Sequence, residues 1–555
     1  MTGSRKESVA RKSTRREARG ASPLSLGLVD QVAGKILRDQ ARKWGRRVFV
    51  EFEQRKITYG EANDNANRVA NGFLRLGAKK GSRVAILLRN RPEYLDLWFG
   101  LSKVGMVQVP LNTEFKRAQL VHVLRRSPVD FIVTEAVFAP ELALALNQVD
   151  GNLTVIQFEG TSCLAGSARV TLLAYEACMT NVDVSEPDAG AVSGSDMGAI
   201  MNTSGTTGPS KGVQLSHAQQ FILGRNIATD LELTRDDVYY NFFPLFHNTA
   251  QAMITLPTLL SGGKMILTEK FSASRFWPDV RAHKCTSFYY IGEILRILLK
   301  SAAPDEVTRS TLRVGWGIGA SPRDFIDFQK RYKIALHSGY GSTEANVPCF
   351  TPHIRPKPGS AGRVLRGFDV RVVNEQGVPL PVGQTGELLV RSSEPCATML
   401  GYDGDAQATL EAWRDLWFHT GDAGYFNKNG DLFFCGRLRD VIRVRGENVS
   451  AFEIEETIAQ YPGVLEVAAV AVPCELGGDD IKIVVVVRPD VVIEHESLVA
   501  HAAQHLPRFS VPRYVEIVAA LPKTETNKIR KNVLRSTPFT DKTWDRQAGS
   551  ARHSR

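Results

Sequence analysis

The first part of the chain alternates between helical and strand patterns of apolar residues. In the segment 59–77, apolar residues recur every three or four positions, which predicts a helix, and Gly77 can close it. The short apolar run 84–88 predicts a buried strand, and Pro92 suits the first turn of a second helix over 92–104. Strands that alternate with helices favour a parallel sheet covered on both faces. The apolar stripe of the first helix comprises Ala62, Ala66, Val69, Ala70 and Phe73.

Two changes of pattern indicate the domain organisation. Strand-and-helix units continue through 195–350, and short β-rich pieces with Gly and Pro turns begin near 360. After 437 an α+β pattern follows, with predicted strands at 464–472, 481–487 and 514–518 and a helix at 497–505. We therefore predict an α/β fold with a large N-terminal domain of layered sheets and helices, including a β-rich subdomain, at 25–437. A small α+β C-terminal domain is expected at 438–535.

The apolar runs of the chain do not indicate a membrane-spanning segment. With 555 residues, of which 43% are hydrophobic, the chain is long enough for two or three globular domains. No run of 18 uninterrupted apolar residues occurs, because the richest stretches carry a charge or a glycine. We expect no transmembrane segment.

The basic charge is concentrated at the start of the chain. Of the formal net charge of +10, the first 20 residues contribute half, with seven Lys or Arg against two Glu. They lack the apolar core of a secretory signal, so we expect a disordered basic tail at 1–24, with a transit peptide as the alternative. A second flexible tail is expected at 536–555. Nucleic acid is not an expected partner, because no basic and aromatic stripe occurs outside the ends. The rival hypothesis is that the protein binds nucleic acid or an anionic membrane through those basic ends.

The cysteines point to a reducing compartment. The seven cysteines are odd in number, widely spaced and form no CxxC pair. This pattern predicts buried thiols and neither disulfides nor metal ligands, and it favours a cytoplasmic location.

The strongest chemical motif is the decapeptide TSGTTGPSKG at 203–212. Small hydroxyl residues and glycines let backbone N–H groups and hydroxyls surround a polyphosphate, and Lys211 adds positive charge. The motif is not a Walker A loop, because Ser210 stands where that loop has glycine and Gly212 stands where it has Ser or Thr. The motif therefore predicts a polyphosphate site of another kind.

The decapeptide resembles the phosphate loop of the adenylate-forming superfamily, which includes acyl-CoA synthetases, luciferases and peptide-synthetase adenylation domains. Further motifs follow in the family's order up to residue 528, and the resemblance covers about 25–535. It implies that the N-terminal domain is an adenylation domain and that the C-terminal domain is mobile. The loop residues expected to contact ATP are Thr203, Ser204, Gly205, Thr206, Thr207, Gly208 and Lys211.

Two glycine-rich segments resemble the family's adenine motifs. In GYGSTE at 339–344, the resemblance implies that Tyr340 stacks on adenine, that Thr343 approaches the α-phosphate and that Glu344 helps to hold Mg²⁺. In GIGASP at 317–322, backbone atoms would meet the edge of the base. The further residues expected to contact ATP in these segments are Gly319, Ala320, Ser321 and Gly341.

Two later motifs resemble the ribose site and the hinge. In WFHTGD at 417–422, Asp422 would accept hydrogen bonds from both ribose hydroxyls. In GRLRD at 436–440, Arg437 would contact ribose or phosphate, and Arg439 would be the pivot of the C-terminal domain. The family commonly has Asp or Lys at the pivot, so Arg439 is a departure.

The segment GENVS at 446–450 resembles the loop that lines the pantetheine tunnel during thioester formation. This resemblance implies that Gly446, Glu447 and Asn448 contact coenzyme A.

The segment LPKTETNKI at 521–529 resembles the family's catalytic-lysine motif. Lys528 would bridge the substrate carboxylate and the α-phosphate during adenylation. Asn527 stands where glycine is usual, and asparagine also tolerates positive φ.

The segment 241–250 resembles the family's border of the substrate carboxylate, where His247 is the candidate gate. No Asp or Glu lies between Asn241 and Met265, whereas amino-acid-activating relatives have an aspartate there, so an α-amino acid is not expected. The segment YYIGEI at 289–294 resembles crotonobetaine/carnitine-CoA ligases and fatty acid transport type synthetases, whose acids range from short betaines to fatty acids and sterols.

Together these motifs imply an AMP-forming acyl-CoA synthetase. It would convert a carboxylic acid and ATP to an acyl-adenylate and pyrophosphate, and then form an acyl-CoA thioester and AMP. ATP, Mg²⁺ and coenzyme A are the expected cofactors, and a small-molecule carboxylic acid is the expected partner. A ligase that loads the phosphopantetheine thiol of a carrier protein is the alternative. The identity of the acid and the formation of a homodimer stay open.

Overall fold

The computed structural model describes residues 24–550, except for 161–163, 165–168, 189, 204–209, 302–310, 352–356, 439–440, 445–446, 475–478 and 524–528. Among the described residues, no helix is long and apolar enough to cross a membrane. The cysteines in this part of the chain are free, and four of them are buried: Cys178, Cys285, Cys349 and Cys435. The predicted basic tail lies outside the described residues, apart from Leu24.

The strands are numbered in chain order. They are β1 (Val48–Phe52), β2 (Arg55–Thr58), β3 (Arg83–Leu87), β4 (Val107–Pro110), β5 (Phe131–Glu135), β6 (Leu153–Phe158), β7 (Val170–Ala174), β8 (Met197–Asn202), β9 (Gly212–Ser216), β10 (Val238–Asn241), β11 (Lys264–Leu267), β12 (Ser287–Ile291), β13 (Val314–Ile318), β14 (Ala335–Ser342), β15 (Asn346–Phe350), β16 (Arg363–Val364), β17 (Phe368–Val373), β18 (Gly386–Ser392), β19 (Gly401–Tyr402), β20 (Trp413–Arg414), β21 (Trp417–Phe426), β22 (Leu432–Arg437), β23 (Val441–Val444), β24 (Glu447–Ser450), β25 (Val464–Pro473), β26 (Asp479–Val487), β27 (Tyr514–Ile517) and β28 (Trp544–Asp545).

The α-helices are numbered in the same way, and a π-helix at Thr249–Thr255 precedes α8. They are α1 (Ala33–Trp44), α2 (Tyr59–Arg75), α3 (Pro92–Lys103), α4 (Arg117–Arg126), α5 (Ala139–Leu146), α6 (Tyr175–Met179), α7 (His217–Asp230), α8 (Leu256–Ser261), α9 (Ala273–His283), α10 (Gly292–Ser301), α11 (Pro322–Tyr332), α12 (Ala406–Ala412), α13 (Ala451–Ile458), α14 (His495–His505), α15 (Lys531–Ser536) and α16 (Arg546–Ser550).

Two large sheets form the centre of the N-terminal domain. One has the strand order β16-β15-β14-β13-β12-β10-β11-β1-β2, and the other has the order β19-β9-β8-β4-β3-β5-β6-β7. In the first sheet, the strands from β14 to β1 in that order are parallel. Loops that follow parallel strands collect at one edge, and such edges are the usual ligand sites of α/β sheets. The segments after β10, β13 and β14, which carry candidate site residues, therefore lie at the same edge of the first sheet.

Helices α2 and α3 join the two sheets in one hydrophobic core. Val69 of α2 and Trp98 of α3 belong to the same buried cluster as Phe49 of β1 and Val84 of β3. The start of α2 is fixed by a capping box with Thr58, which explains why the apolar pattern becomes helical there. Because the parallel strands are buried on both faces, their sequences are continuous apolar runs.

Smaller sheets complete the fold. A β-rich subdomain has the order β17-β18-β21-β20, with β22 paired to β21, and the C-terminal domain has the order β25-β26-β27-β28. Helices α13 and α14 pack on the C-terminal sheet around a separate core that includes Ile454, Ile483 and Leu498. The fold is thus a large layered N-terminal domain with a small α+β domain after it, as the sequence predicts.

The predicted elements agree with the observed ones within about three residues, which is the usual uncertainty of a helix or strand end. Gly77 adopts φ 85° after α2, which is the left-handed closure expected for glycine. The segment beyond 536 differs from the prediction of a flexible tail: β28 pairs with β27, and Asp545 forms an ion pair of 3.0 Å with Arg513. A two-residue strand is too short to give a periodic signal, so the sequence pattern does not reveal it.

Candidate functional site

The loop 203–211 leaves the carboxyl end of β8, and α4 holds both of its ends. Arg126 donates hydrogen bonds to the Ser210 carbonyl and to the side chain of Asn202, which stand at opposite ends of the loop. A ring nitrogen of His122 lies 2.9 Å from the same Ser210 carbonyl. These bonds fix Asn202 and Ser210, which stand on either side of the predicted phosphate contacts.

Lys211 closes this loop and approaches a tyrosine from another part of the chain. Its carbonyl accepts a hydrogen bond of 3.0 Å from the Thr203 N–H. Its ammonium lies 4.4 Å from the ring centroid of Tyr402, which is within cation–π range. The Tyr402 hydroxyl donates a hydrogen bond of 3.1 Å to Glu344 Oε1. One tyrosine therefore connects the loop lysine to the predicted magnesium carboxylate.

The turn between β14 and β15 carries Thr343 and Glu344, and hydrogen bonds to α7 hold it in place. Gln219 of α7 donates to the Thr343 carbonyl over 2.8 Å. Asn346 has φ 66° and donates from its side chain to the Gln219 carbonyl over 3.1 Å. A Cβ on Gly341 would lie 2.1 Å from the Asn346 carbonyl oxygen, so only glycine fits there. The backbone near the expected α-phosphate is consequently fixed in position.

Asp422 is a buried carboxylate whose two oxygens have different neighbours. It is 3% exposed, and its Oδ2 accepts a hydrogen bond of 2.7 Å from the Tyr340 hydroxyl. Its Oδ1 lies 3.0 Å from Arg437 Nε in an ion pair without hydrogen-bond geometry. Asp422 and Arg437 are direct neighbours across β21 and β22. Burial raises the pKa of Asp422, and the Arg437 guanidinium acts in the opposite direction.

Tyr340 packs inside this site. It is 6% exposed, and its ring centroid lies 5.8 Å from that of Phe434. Its described contacts orient Asp422, and the predicted stacking on adenine stays a prediction.

The predicted adenine-edge loop follows β13. Gly319 has φ 71°, and a Cβ on Gly292 would lie 1.9 Å from the Gly319 carbonyl oxygen, so the backbones meet closely here. Ser321 caps α11, because its hydroxyl accepts a hydrogen bond of 3.1 Å from the Asp324 N–H. Ala320 lies between these two residues and is half-buried. Backbone atoms of this loop are therefore rigidly placed.

His247 lies in the turn after β10. Asn90 fixes this turn by donating a hydrogen bond of 2.9 Å to the Phe243 carbonyl. His247 is half-buried, and its ring centroid lies 4.6 Å from that of Phe246. The π-helix Thr249–Thr255 begins two residues later. His247 thus stands beside an aromatic and largely apolar segment.

Several predicted contacts lie outside the described residues, and their roles stay predictions. They are Ser204, Gly205, Thr206, Thr207, Gly208, Arg439, Gly446 and Lys528. For Glu447 and Asn448 the structure describes only the backbone, which belongs to β24.

The sequence motifs missed residues that support the site from other elements. Tyr402, Gln219 and Arg126 contact the site through side chains that come from three different elements. Each stands alone on its element, so no local spacing distinguishes it. Their link to the site is a set of tertiary contacts, which arise only in the folded chain.

Two family models match the chain. The model described as AMP-binding enzyme matches residues 37–403, and the model described as AMP-binding enzyme C-terminal domain matches residues 453–528. The chain belongs to the AMP-binding enzyme family. This result confirms the resemblance to the adenylate-forming superfamily.

Relatives of this AMP-binding enzyme include proteins named as CoA ligases. The crotonobetaine/carnitine–CoA ligase of Salmonella agona is 30% identical over 524 residues, covering 91% of this chain and 100% of that protein. The ATP-bound structure of MatB from Rhodopseudomonas palustris is 26% identical, with a TM-score of 0.80 and coverage of 91% and 99%. The anthranilate CoA ligase AuaEII in complex with anthranoyl-AMP shares the fold, with 23% identity, a TM-score of 0.82 and coverage of 91% and 97%. The AMP-binding enzyme is thus an AMP-forming acid–thiol ligase.

Proposed function

We propose that the protein joins a carboxylic acid to coenzyme A through an acyl-adenylate. In the first half-reaction, an oxygen of the carboxylate attacks the α-phosphorus of ATP, the bond between the α-phosphorus and the bridging oxygen breaks, and pyrophosphate leaves. In the second, the thiol of coenzyme A attacks the acyl carbonyl, its proton is released, and AMP leaves. Both steps depend on charge stabilisation and alignment more than on a strong base.

The observation that carries this proposal is a row of charged and polar contacts that spans three sheets. Lys211 and Glu344 both contact Tyr402. Tyr340 stands four residues before Glu344, on β14, and its hydroxyl donates a hydrogen bond to Asp422. A loop that can surround phosphates, a carboxylate for a cation and a buried carboxylate for hydroxyls therefore lie along one path. This order matches the phosphates, the metal and the ribose of one nucleotide.

Asp422 would hold the ribose. A buried carboxylate oxygen without a hydrogen-bond donor is costly, at about 1–3 kcal/mol, unless a ligand supplies the donor. Asp422 Oδ1 has that capacity, and the Tyr340 hydroxyl prevents the carboxylate from rotating. The half-exposed Arg437 guanidinium stands beside it, where it can also meet ribose or phosphate oxygens.

Glu344 fits a magnesium ion that arrives with ATP. Among the described residues, no group of three His, Cys, Asp or Glu side chains could hold a metal ion by itself. Mg²⁺ is commonly held by one or two carboxylates together with substrate phosphates, so a complete protein cage is not required. When bound, the ion would neutralise phosphate charge, while Glu344 would orient the triphosphate toward Thr343.

Lys528 would act only in the adenylation step. Lys523 and Ile529, which precede and follow the stretch 524–528 in the sequence, form an antiparallel β-bridge in the C-terminal domain. An ammonium between the attacking carboxylate and the α-phosphate would reduce the repulsion between two anions. Turning of the C-terminal domain about Arg439 would then remove Lys528 and bring Gly446, Glu447 and Asn448 to the thiol path.

The acid would lack an α-ammonium group. No Asp or Glu lies in the segment from Asn241 to Met265, and His247 stands beside aromatic side chains. A betaine remains compatible, because aromatic faces attract a quaternary ammonium without a carboxylate. The relative named crotonobetaine/carnitine–CoA ligase supports the inclusion of betaines among the acids to be tested.

The test is a screen of aliphatic, aryl, betaine and steroid acids with ATP, Mg²⁺ and free coenzyme A. We expect at least one acid to give AMP, pyrophosphate and an acyl-CoA in equal amounts, with no carrier protein added. Pyrophosphate release that yields a thioester only when a phosphopantetheinylated carrier is added would favour the carrier-loading alternative. The absence of pyrophosphate release with every acid of the panel would contradict the proposal.

A further inference from the structure

The side chain of Tyr402 contacts two charged groups through two different parts of the ring. Its hydroxyl donates to Glu344 Oε1 over 3.1 Å, and its ring face lies 4.4 Å from the Lys211 ammonium. We propose that Tyr402 is a positioning residue that sets the distance between the magnesium carboxylate and the phosphate-loop lysine. This inference rests on the proposed function, because it assigns Glu344 and Lys211 to the metal and phosphates of ATP.

The backbone of Tyr402 is fixed close to the phosphate loop. Strand β19 pairs with β9, the strand that follows the loop, with Tyr402 opposite Val213. The Tyr402 N–H donates a hydrogen bond of 2.9 Å to the Thr409 hydroxyl. The ring therefore stands on a strand that is hydrogen-bonded to the strand following the loop, and its hydroxyl reaches the turn after β14.

The next residue clamps this short strand. Asp403 is 3% exposed and forms two hydrogen bonds with Arg83, of 3.0 and 3.1 Å. Gln214 of β9 donates to the same carboxylate over 2.7 Å. A strand of two residues has little stability of its own, so these bonds explain how it keeps a defined position.

The chemistry of the tyrosine suits positioning and not proton transfer. A tyrosine hydroxyl has an ordinary pKa of about 10, so it is protonated near neutral pH and can donate to the carboxylate. With Oε1 held by this bond, Glu344 is oriented so that Oε2 can face a cation. The ring face attracts the ammonium of Lys211 independently of the hydroxyl.

Two substitutions separate these contacts. Tyr402→Phe removes the hydroxyl and keeps the ring, whereas Tyr402→Leu removes both. The full-length protein is titrated by calorimetry with ATP in the presence of Mg²⁺ and, separately, with ATP in the presence of EDTA. We expect Tyr402→Phe to weaken MgATP binding about tenfold, because it removes the hydrogen bond to Glu344, the proposed magnesium ligand. Metal-free ATP binding should be unchanged, because the ring that contacts Lys211 is kept. Tyr402→Leu should weaken both.

A matched control and a double substitution complete the test. Tyr332→Phe removes a hydroxyl that donates to the Leu298 carbonyl over 3.0 Å on helices α10 and α11, and it should change neither titration. In a Glu344→Gln background, Tyr402→Phe should have no further effect on MgATP binding. Equal weakening of both titrations by Tyr402→Phe, or none, would overturn the inference. The titrations need no carboxylic acid. An acid screen without pyrophosphate release would therefore refute the proposed function and leave the role of Tyr402 to be decided by the titrations.

Discussion

Asp422 and Asp96 are both buried carboxyl groups, and their surroundings give them different behaviour. Asp422 has the Arg437 guanidinium and the Tyr340 hydroxyl beside it, which favour the charged form. Asp96, on α3, is 7% exposed and forms no ion pair within the described part of the chain. Burial raises the pKa of Asp96 to about 8. Burial thus raises the pKa of both carboxyls, and Asp422 differs in having a guanidinium in an ion pair that acts against this rise.

Replacing Asp422 should damage the use of ATP. Asp422→Ala removes the acceptor of the ribose hydroxyls and leaves them without partners, at a cost of about 1–3 kcal/mol. We expect the KM for ATP to rise about tenfold or more in a pyrophosphate-release assay. Asp431→Asn is the control, because it alters another buried carboxylate, which pairs with Arg363 over 3.1 Å. An unchanged KM in Asp422→Ala would remove the ribose assignment.

Asp96 should make the stability of the protein fall as the pH rises. Its pKa is higher in the folded state than the value of about 3.9 expected for the unfolded chain, so the folded state binds the proton more tightly. Below pH 4 Asp96 is protonated in both the folded and the unfolded state, so it does not make the free energy of unfolding depend on pH. Between pH 4 and 8 the unfolded state loses its proton first, so the free energy of unfolding decreases across this window.

Asp96→Asn removes this dependence. We expect the variant to gain more thermal stability over the wild type at pH 8 than at pH 5, measured by scanning calorimetry. Asp64→Asn on the exposed face of α2 is the control, since that carboxyl stays in water. A stability difference between Asp96→Asn and wild type that does not vary with pH would contradict the assigned pKa.

At the scale of elements, the long helices and buried strands could be predicted and the short connecting elements could not. Helix α2 has a regular apolar stripe, and β3 is a continuous apolar run, so periodicity identifies both. Strand β19 consists of two residues and is defined by its partner β9. The same limit applies to the site: Asp422 and Glu344 stand in recognisable motifs, whereas Tyr402 becomes significant only when β19 is placed beside the loop.

Helix α4 supports the phosphate loop, and removal of its last arginine should loosen that loop. Arg126→Ala leaves the Ser210 carbonyl and the Asn202 side chain without a shared donor. We expect a rise in the KM for ATP of roughly tenfold, equal to about 1.4 kcal/mol, with the fold retained by circular dichroism. Arg125→Ala is the matched control, because that neighbouring guanidinium donates to Gln148 over 2.7 Å instead. Equal effects of the two substitutions would show that α4 does not support the loop in this way.

At the scale of the whole molecule, the contacts between the two domains include an ion pair and an aromatic contact, between Phe434 and Phe452, whose ring centroids lie 6.4 Å apart. Arg296 of α10 lies 3.8 Å from Glu456 of α13, and a groove of about 610 Å³ separates these helices. Arg296 also lies 3.1 Å from Asp324 of α11, and a surface ion pair contributes about 0–1 kcal/mol, so the pair with Glu456 does not lock the domains together. A weak ion pair at this position is consistent with the proposed turning about Arg439.

Lys528 should distinguish the two half-reactions. Lys528→Ala is expected to reduce acid-dependent pyrophosphate release by about 100- to 1000-fold, corresponding to roughly 2.7–4 kcal/mol of electrostatic stabilisation. It should convert supplied acyl-adenylate and coenzyme A to acyl-CoA at nearly the wild-type rate, because the lysine would have moved away.

Lys523 and Lys531 provide the controls for that experiment. They form ion pairs with Glu466 and Glu455, of 2.6 and 2.7 Å, within the C-terminal domain. Their replacement by Ala should affect neither half-reaction strongly. Equal damage to both half-reactions in Lys528→Ala would mean that the residue is structural or that the domain does not turn. A selective defect in Lys523→Ala would place the catalytic lysine five residues earlier.

The central claim is that an acyl-adenylate forms before any thiol takes part. The most direct measurement is the exchange of labelled pyrophosphate into ATP, with an acid identified by the screen and with coenzyme A omitted. The account predicts rapid exchange that requires both the acid and Mg²⁺ and that falls at least 100-fold in Lys528→Ala. Formation of acyl-CoA by the complete system, together with no acid-dependent exchange in the absence of coenzyme A, would contradict it.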